Sequence, residues 1–372
     1  MSRDFMQALK GEISSSQQNN FGVDNFDEYR FGKYRDDVKS RPSSFQKIRG
    51  FLSSKSGASS SRNEDVQDIR KAIPGVEKFI RLYDAFPEKD KSLLITLLAY
   101  QHLGYRKVRL PRNTKAYWEL FESAMTLENQ SDTYDPHFQN FILSKFNLNP
   151  IGPDVKLYYA VIGIVATFLL EQYAYKVDGK NFIEVKQNDI VFDLGACWGD
   201  TALYFANKAT DGGKVYSFEF IPRNVELFNI NLDFNPQLKP IIEIVDRPVS
   251  DNSNTIVYYQ DRGPASKISL TPFDGQTGST TTISIDDYVI DNNIDKVDFI
   301  KMDIEGAEMS ALRGAIKTIK KFRPKLAIAI YHSMDDMADI PNWILDLDLG
   351  YDIFLDHFTI HAEETVCFAQ VR

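Results

Sequence analysis

Four groups of residues have the types and spacing that chemistry requires. The run Val191-Phe192-Asp193-Leu194-Gly195-Ala196-Cys197-Trp198-Gly199-Asp200-Thr201 reads as a buried strand entering a turn of small residues and then a helix. Gly195, Ala196 and Gly199 let a ligand come close to the backbone, and the helix that follows presents unpaired N–H groups. Glu219 closes the next strand-like run, Val215 to Phe218, 26 residues after Asp193. A carboxylate at the end of a second strand accepts hydrogen bonds from ribose hydroxyls in doubly wound sheets, so the ligand expected here contains a nucleoside. The loop lacks the full G-x-G-x-x-G fingerprint that cradles a pyrophosphate. S-adenosyl-L-methionine, which has no phosphate, therefore fits better than NAD.

The third group is Asp303, Glu305 and Glu308, directly after the strand-like run Val297 to Met302, with Gly306 supplying a tight turn. Ligands sit beyond the carboxyl ends of strands in open α/β sheets, so these carboxylates are candidates for the methionine amino group, an acceptor hydroxyl or a proton. Glu305 and Glu308 are read as substrate-binding and Asp303 as catalytic. The bland alternative for Glu308 is to complement the dipole of the helix beginning near Ala307. The fourth group is His332, just past Leu326 to Ile330. A neutral imidazole there can take a proton from an acceptor hydroxyl, which makes His332 the expected general base. Asp303 with Asp335 or Asp336 offers hard oxygen ligands for a divalent cation, but no spacing compels a metal and none is favoured. Cys197 and Cys367 stand alone, without the C-x-x-C pairing of a zinc site.

These groups must be held by elements that alternate. After Asp178-Gly179-Lys180, strand-like runs at Val191–Leu194, Val215–Phe218, Ile241–Val245, Val297–Met302 and Leu326–Ile330 alternate with helical segments beginning near Thr201, Arg223, Ile285 and Ala307. A helix around Trp343 to Leu347 and two strands, Asp352–Leu355 and Thr365–Ala369, close the chain as an antiparallel hairpin at one edge. The organisation expected is a flexible low-complexity tail over 1–68, a helical region over 69–180 and a Rossmann-like α/β domain over 181–372. The tail is rich in Ser, Asn, Gln and charged residues, which bury too little apolar surface to offset their ordering entropy. The apolar run Leu157 to Leu170 is too short to span a membrane, for which about 20 residues are needed, and reads as a buried helix.

Together, Asp-x-Gly-Ala-x-x-Gly at 193–199, Ser217-Phe218-Glu219, Val297-Asp298-Phe299-Ile300-Lys301-Met302 followed by Asp303-Ile304-Glu305-Gly306-Ala307-Glu308, and Arg323-Pro324-Lys325-Leu326 resemble the FkbM-type methyltransferases. The resemblance runs from about Asn188 to Ala369, and the Asp-Ile-Glu-Gly-Ala-Glu block is its most specific part. It implies a class I methyltransferase fold, a mainly parallel sheet with an antiparallel edge strand. It also implies S-adenosyl-L-methionine as cofactor and O-methylation of a small molecule, sugar or glycan. Asp193, Gly195 and Gly199 carry over as the cofactor loop and Glu219 as the ribose ligand. Where the class I pattern often has another glycine, this chain has Cys197. The alternative is a methyltransferase-fold scaffold without activity that binds partners through its N-terminal region.

Composition narrows the remaining classes. Lysine and arginine number 43 against 52 aspartates and glutamates, a net charge of −9, which disfavours a basic nucleic-acid-binding surface. Two cysteines are too few for a disulfide-stapled fold, and the first dozen residues lack the apolar core of a secretory signal, so a reducing, cytoplasmic location is expected. A homo-oligomer is compatible with the sequence.

Overall fold

The computed structural model describes residues 2–18, 69–70, 73–138, 141–210 and 212–372. Seven strands form the central sheet: β1 (Ile190–Leu194), β2 (Lys214–Phe218), β3 (Ile242–Val245), β4 (Phe299–Met302), β5 (Lys325–Ala329), β6 (Tyr351–His357) and β7 (Thr365–Val371). Their spatial order is β3-β2-β1-β4-β5-β7-β6. Strands β1 to β5 pair in parallel, whereas β7 runs antiparallel to both β5 and β6. The closing hairpin thus forms one edge, with β6 outermost and its antiparallel partner one place in. Helices cover both faces, so the central strands are buried on both sides and read as nearly continuous apolar runs.

The helices are α1 (Ser2–Gln18), α2 (Lys78–Ala85), α3 (Glu88–Leu103), α4 (Lys115–Met125), α5 (Asp200–Ala209), α6 (Pro222–Asp233), α7 (Ile285–Asp291), α8 (Glu308–Gly314), α9 (Ile316–Phe322) and α10 (Met334–Asp346). Ser284 and Ser333 cap α7 and α10 by accepting from the N–H groups of Asp287 and Asp336, at 3.1 and 3.0 Å.

Three expectations are corrected. First, Ser2–Gln18 is not a flexible tail. It is a helix whose Phe5 and Leu9, one turn apart, are fully buried, with Phe5 edge-on to Tyr83 and α1 packed on α3. Its polar composition hides one narrow apolar stripe. The rest of the expected tail, 19–68, lies outside the described residues. Second, 69–180 is not only helical. It holds α2 to α4, then an antiparallel sheet of Glu128–Tyr134, Leu143–Asn147 and Lys156–Tyr159, and a hairpin of Tyr175–Val177 and Lys180–Ile183. Third, Leu157 to Leu170 does not make one helix. It starts as a strand, takes one short helical turn at Val161–Gly163, and winds as a wider π-helical segment over Ile164–Leu169, of which Ile164 to Phe168 are buried. Asn231 fixes the strand by accepting the Tyr158 N–H at 2.7 Å, which competes with helix formation at that end.

Residue 180 is not a packing boundary either. Helices α1 to α3 share one continuous apolar core with a face of the central sheet. The buried Asp90 of α3 accepts from the Tyr175 hydroxyl at 2.9 Å and from the Leu355 N–H of β6 at 2.8 Å. Lys78 of α2 pairs with Asp335 and Asp339 of α10 at 2.8 and 2.9 Å. The strand patterns between residues 181 and 372 correspond to β1–β7, but an inserted antiparallel sheet between β3 and α7 was not anticipated. Its strands are Ile256–Gln260, Lys267–Ser269 and Gly278–Thr281.

The docking of α1 has a measurable consequence. Phe5→Ala is expected to lower stability by about 3–5 kcal/mol, the usual range for emptying a packed phenylalanine site. Denaturant unfolding checks this, and a variant as stable as the parent protein would show that α1 does not belong to the core.

Candidate functional site

The site is built on a buried ion pair. Asp193 on β1 and Lys301 on β4 are opposite each other in the parallel register, and their side chains are 0% and 1% exposed. Lys301 Nζ lies 3.2 Å from Asp193 Oδ1 and donates to the carbonyls of Gly195 at 2.8 Å and Leu194 at 3.2 Å. Asp193 Oδ2 accepts from Thr201 Oγ1 at 2.8 Å. Burial works against the ammonium, but Asp193, Asp303 and Asp200 outweigh it and hold the lysine pKa above its ordinary value. The loop after β1 is thereby tied to β4. Gly195 has φ +82, and a Cβ there would lie 1.9 Å from the Asp303 carbonyl oxygen, so its glycine lets two loops touch. Gly199, with φ +83, meets the Phe228 ring of α6, which a Cβ would approach to 2.2 Å.

Above this foundation lies a cavity at the carboxyl ends of the strands. Its lining includes Gly195, Cys197, Phe218, Glu219 and Asn224 together with Asp303, Ile304, Glu305, Tyr331 and Glu364. Arg247, Pro248 and Val249 after β3, Gly263, Pro264, Ser266 and Ile268 of the inserted segment and Tyr159 of the N-terminal region also line it. Glu219, 7% exposed, accepts from the Phe220 and Ile221 N–H groups at 2.8 Å each and from Asn224 Nδ2 at 3.3 Å. Burial raises its carboxyl to about 7 despite these donors.

The acidic wall is tightly connected. Asp303 accepts from the Tyr173 hydroxyl at 3.0 Å and the Tyr331 hydroxyl at 3.2 Å. Burial, then the charge of Asp303, raises the Glu364 carboxyl to about 8. Glu305 at φ +58 and Gly306 at φ +92 make the left-handed turn that lets Asp303, Glu305 and Glu308 converge on His332. The imidazole lies 3.4 Å from Asp303, 3.8 Å from Glu305 and 3.2 Å from Glu308. Burial opposes its protonation, but these carboxylates prevail and hold its pKa up to about 9.

The residues expected from the sequence thus divide. Gly195, Glu219, Asp303 and Glu305 line the cavity. Asp193, Ala196 and Gly199 are not in its lining: Asp193 is buried against Lys301, and Ala196 is 1% exposed. Glu308, fully buried, accepts the Ile304 N–H at 2.7 Å at the start of α8, which is a loop-holding position rather than a substrate contact. His332 is not in the cavity lining; it stands among Asp303, Glu305 and Glu308, which favour its charged form. Asp335 pairs with Lys78 and Asp336 lies in the cap of α10, so neither joins Asp303 in a metal site. Missed from the sequence were Lys301, Glu364, Tyr331 and Tyr159. Lys301 alone had a signal, a charge within an otherwise apolar parallel strand.

The strand order, with one antiparallel strand next to the edge, is that of class I methyltransferases. Residues 185–353 match the family model of the methyltransferase FkbM domain. Methyltransferase FkbM from Methylobacillus flagellatus KT aligns with 82% of this chain and 60% of its own at 20% identity, with a TM-score of 0.50, a likeness in fold. This chain therefore spans less than two thirds of that protein. Fibrillarin from Aeropyrum pernix, determined with bound S-adenosyl-L-methionine, aligns with 64% of this chain and 96% of its own at 14% identity and a TM-score of 0.33. No curated protein matches the sequence.

Lys301→Met is expected to cost roughly 3–5 kcal/mol, because it leaves the Asp193 charge buried without its partner. The double variant with Asp193→Asn is expected to recover part of that loss. Equal unfolding midpoints for Lys301→Met and the parent would contradict the pairing.

Proposed function

We propose that the protein is an S-adenosyl-L-methionine-dependent O-methyltransferase acting on a hydroxyl of a small molecule, in the first instance a sugar, glycan or sugar-bearing metabolite. The observation that carries this reading is one cavity lined by Glu219, Gly195 and Asp303 together. The sugar class rests on the FkbM resemblance. Cys197 and Cys367 are free thiols, in keeping with the cytoplasmic setting that we include in the proposal. Among the described residues no helix is long and apolar enough to cross a membrane.

The residues fit the cofactor. Glu219 Oε1 is held by two backbone N–H groups, Oε2 with only the 3.3 Å Asn224 contact keeps acceptor capacity for the ribose diol, and Gly195 leaves the loop without a side chain where it borders the cavity. When bound, S-adenosyl-L-methionine supplies an electrophilic methyl group on a sulfonium. The Asp303 carboxylate, steadied by the hydroxyls of Tyr173 and Tyr331, orients the acceptor hydroxyl and takes its proton. Glu305 extends the acidic wall toward solvent, its side chain 53% exposed, and contributes hydrogen-bond acceptors for a polyhydroxyl acceptor. His332 serves as a positioning residue that gathers the carboxylates.

Glu219→Ala is expected to weaken cofactor binding by about 1.5–3 kcal/mol in calorimetry, the range for hydrogen bonds to a charged group. The pH dependence follows from the same carboxyl. Ionised Glu219 accepts from both ribose hydroxyls, so affinity should rise as pH passes upward through about 7 and fall below it. Glu219→Gln should remove this dependence, and an unchanged pH profile would dismiss the ribose role.

Turnover is tested by mass spectrometry of sugar acceptors incubated with the protein and cofactor, scoring the gain of one methyl group. Asp303→Asn is expected to reduce it by about 10²–10⁴ with cofactor affinity retained. Cofactor binding with no product from any acceptor class would favour the scaffold alternative.

A further inference from the structure

The cluster behind Asp303 holds more negative charge than its surroundings neutralise. Asp303, Glu305 and Glu308 converge on one imidazole, and among the described residues no lysine or arginine pairs with them at ion-pair distance. Lys301, the nearest basic side chain of β4, is spent on Asp193 and two carbonyls. One ligand atom each from Asp303, Glu308 and His332 lie within 4.8 Å of one another. Two ligands opposite each other across a small divalent ion are separated by roughly 4.2 Å, twice the usual 2.1 Å bond, so the spread is of the order that one ion spans once the side chains turn toward it.

A separate observation points to a missing ligand. Glu308 is fully buried, and while its Oε1 accepts the Ile304 N–H, its Oε2 has no hydrogen-bond partner. The His332 side chain is 10% exposed, and neither ring nitrogen makes an aligned hydrogen bond although carboxylates stand 3.2 to 3.8 Å away. Buried polar atoms are ordinarily satisfied, and leaving a carboxylate oxygen and an imidazole bare in one cluster is costly. A cation that takes lone pairs rather than offering one hydrogen bond satisfies both groups at once.

We propose that Asp303, Glu308 and His332 form a binding site for one divalent metal ion. Two carboxylates with one imidazole suit an ion of intermediate hardness, and Mn²⁺ fits that donor set better than Ca²⁺, which prefers six or more oxygens, or ions that prefer thiolates. Asp303 and Glu305 also line the cavity, so the ion would lie beside the place where an acceptor hydroxyl binds. There it would hold that oxygen and lower the affinity of the oxygen for its proton. Binding of the ion does not depend on the methyl-transfer reading, and the two are tested separately.

The test titrates MnCl₂ into the full chain, first stripped with EDTA and dialysed, and follows the loss of the free Mn²⁺ electron paramagnetic resonance signal without cofactor or acceptor. One ion per chain is expected. Glu308→Gln and His332→Asn should each weaken binding at least tenfold, while Asp335→Asn, outside the cluster, should leave it unchanged. Thermal unfolding of each variant accompanies the titration; should Glu308→Gln fail to fold, His332→Asn carries the comparison. Absence of Mn²⁺ binding by the parent protein, or equal binding by His332→Asn, overturns the site. Cofactor binding measured in EDTA is independent of the ion, so loss of the metal site and loss of the methyltransferase reading give different results.

Discussion

The Asp193–Lys301 pair is the constraint on which the remainder of the site depends. An ammonium that is 1% exposed is tolerated only because a carboxylate and two backbone carbonyls face it. Those carbonyls belong to Leu194 and Gly195, at the point where β1 turns into the glycine loop. One side chain therefore sets the height of that loop against β4, and β4 leads directly to Asp303. The contact of Gly195 with the Asp303 carbonyl completes the join, leaving no room for a Cβ. The glycine loop after β1 and the acidic turn after β4 are in this way joined directly.

Much of this arrangement was legible in the residues. The alternation of apolar runs with helical segments gave the sheet its strands, because parallel strands covered on both faces must be apolar throughout. Glu219 was legible because a carboxylate ending a strand one unit after a glycine turn has few structural uses. Other features depend on tertiary register and have no local signature. That Asp193 faces Lys301 rather than a ligand follows from the parallel pairing of β1 with β4, not from spacing along the chain. The upward shift of the His332 pKa comes from three carboxylates brought together by the left-handed turn at Glu305 and Gly306, against the opposing effect of burial. The Ser2–Gln18 helix was hidden because two buried residues, Phe5 and Leu9, suffice to dock a helix that is otherwise polar. The inserted sheet escaped notice because its strands span only three to five residues.

The N-terminal segments have a physical part in the site. Tyr159 reaches the cavity from the strand that Asn231 and Asn235 of the α6 region hold in place by accepting the Tyr158 and Lys156 N–H groups. Tyr173, one of the two hydroxyls on Asp303, comes from the same stretch, just before the Tyr175–Val177 strand. Residues before the segment that matches the FkbM family model thus help to line the cavity, while α3 ties to the β6 edge of the sheet through Asp90 and Leu355.

The proposed methyl transfer requires the nucleoside and the reacting centre to share one cavity. A crystal structure with S-adenosylhomocysteine, the demethylated form of the cofactor, tests this most directly. The expected result has both ribose hydroxyls on the Glu219 carboxylate, the amino-acid end along the Gly195 loop, and the sulfur facing Asp303. A ligand bound elsewhere, or one whose ribose lies away from Glu219, would contradict it.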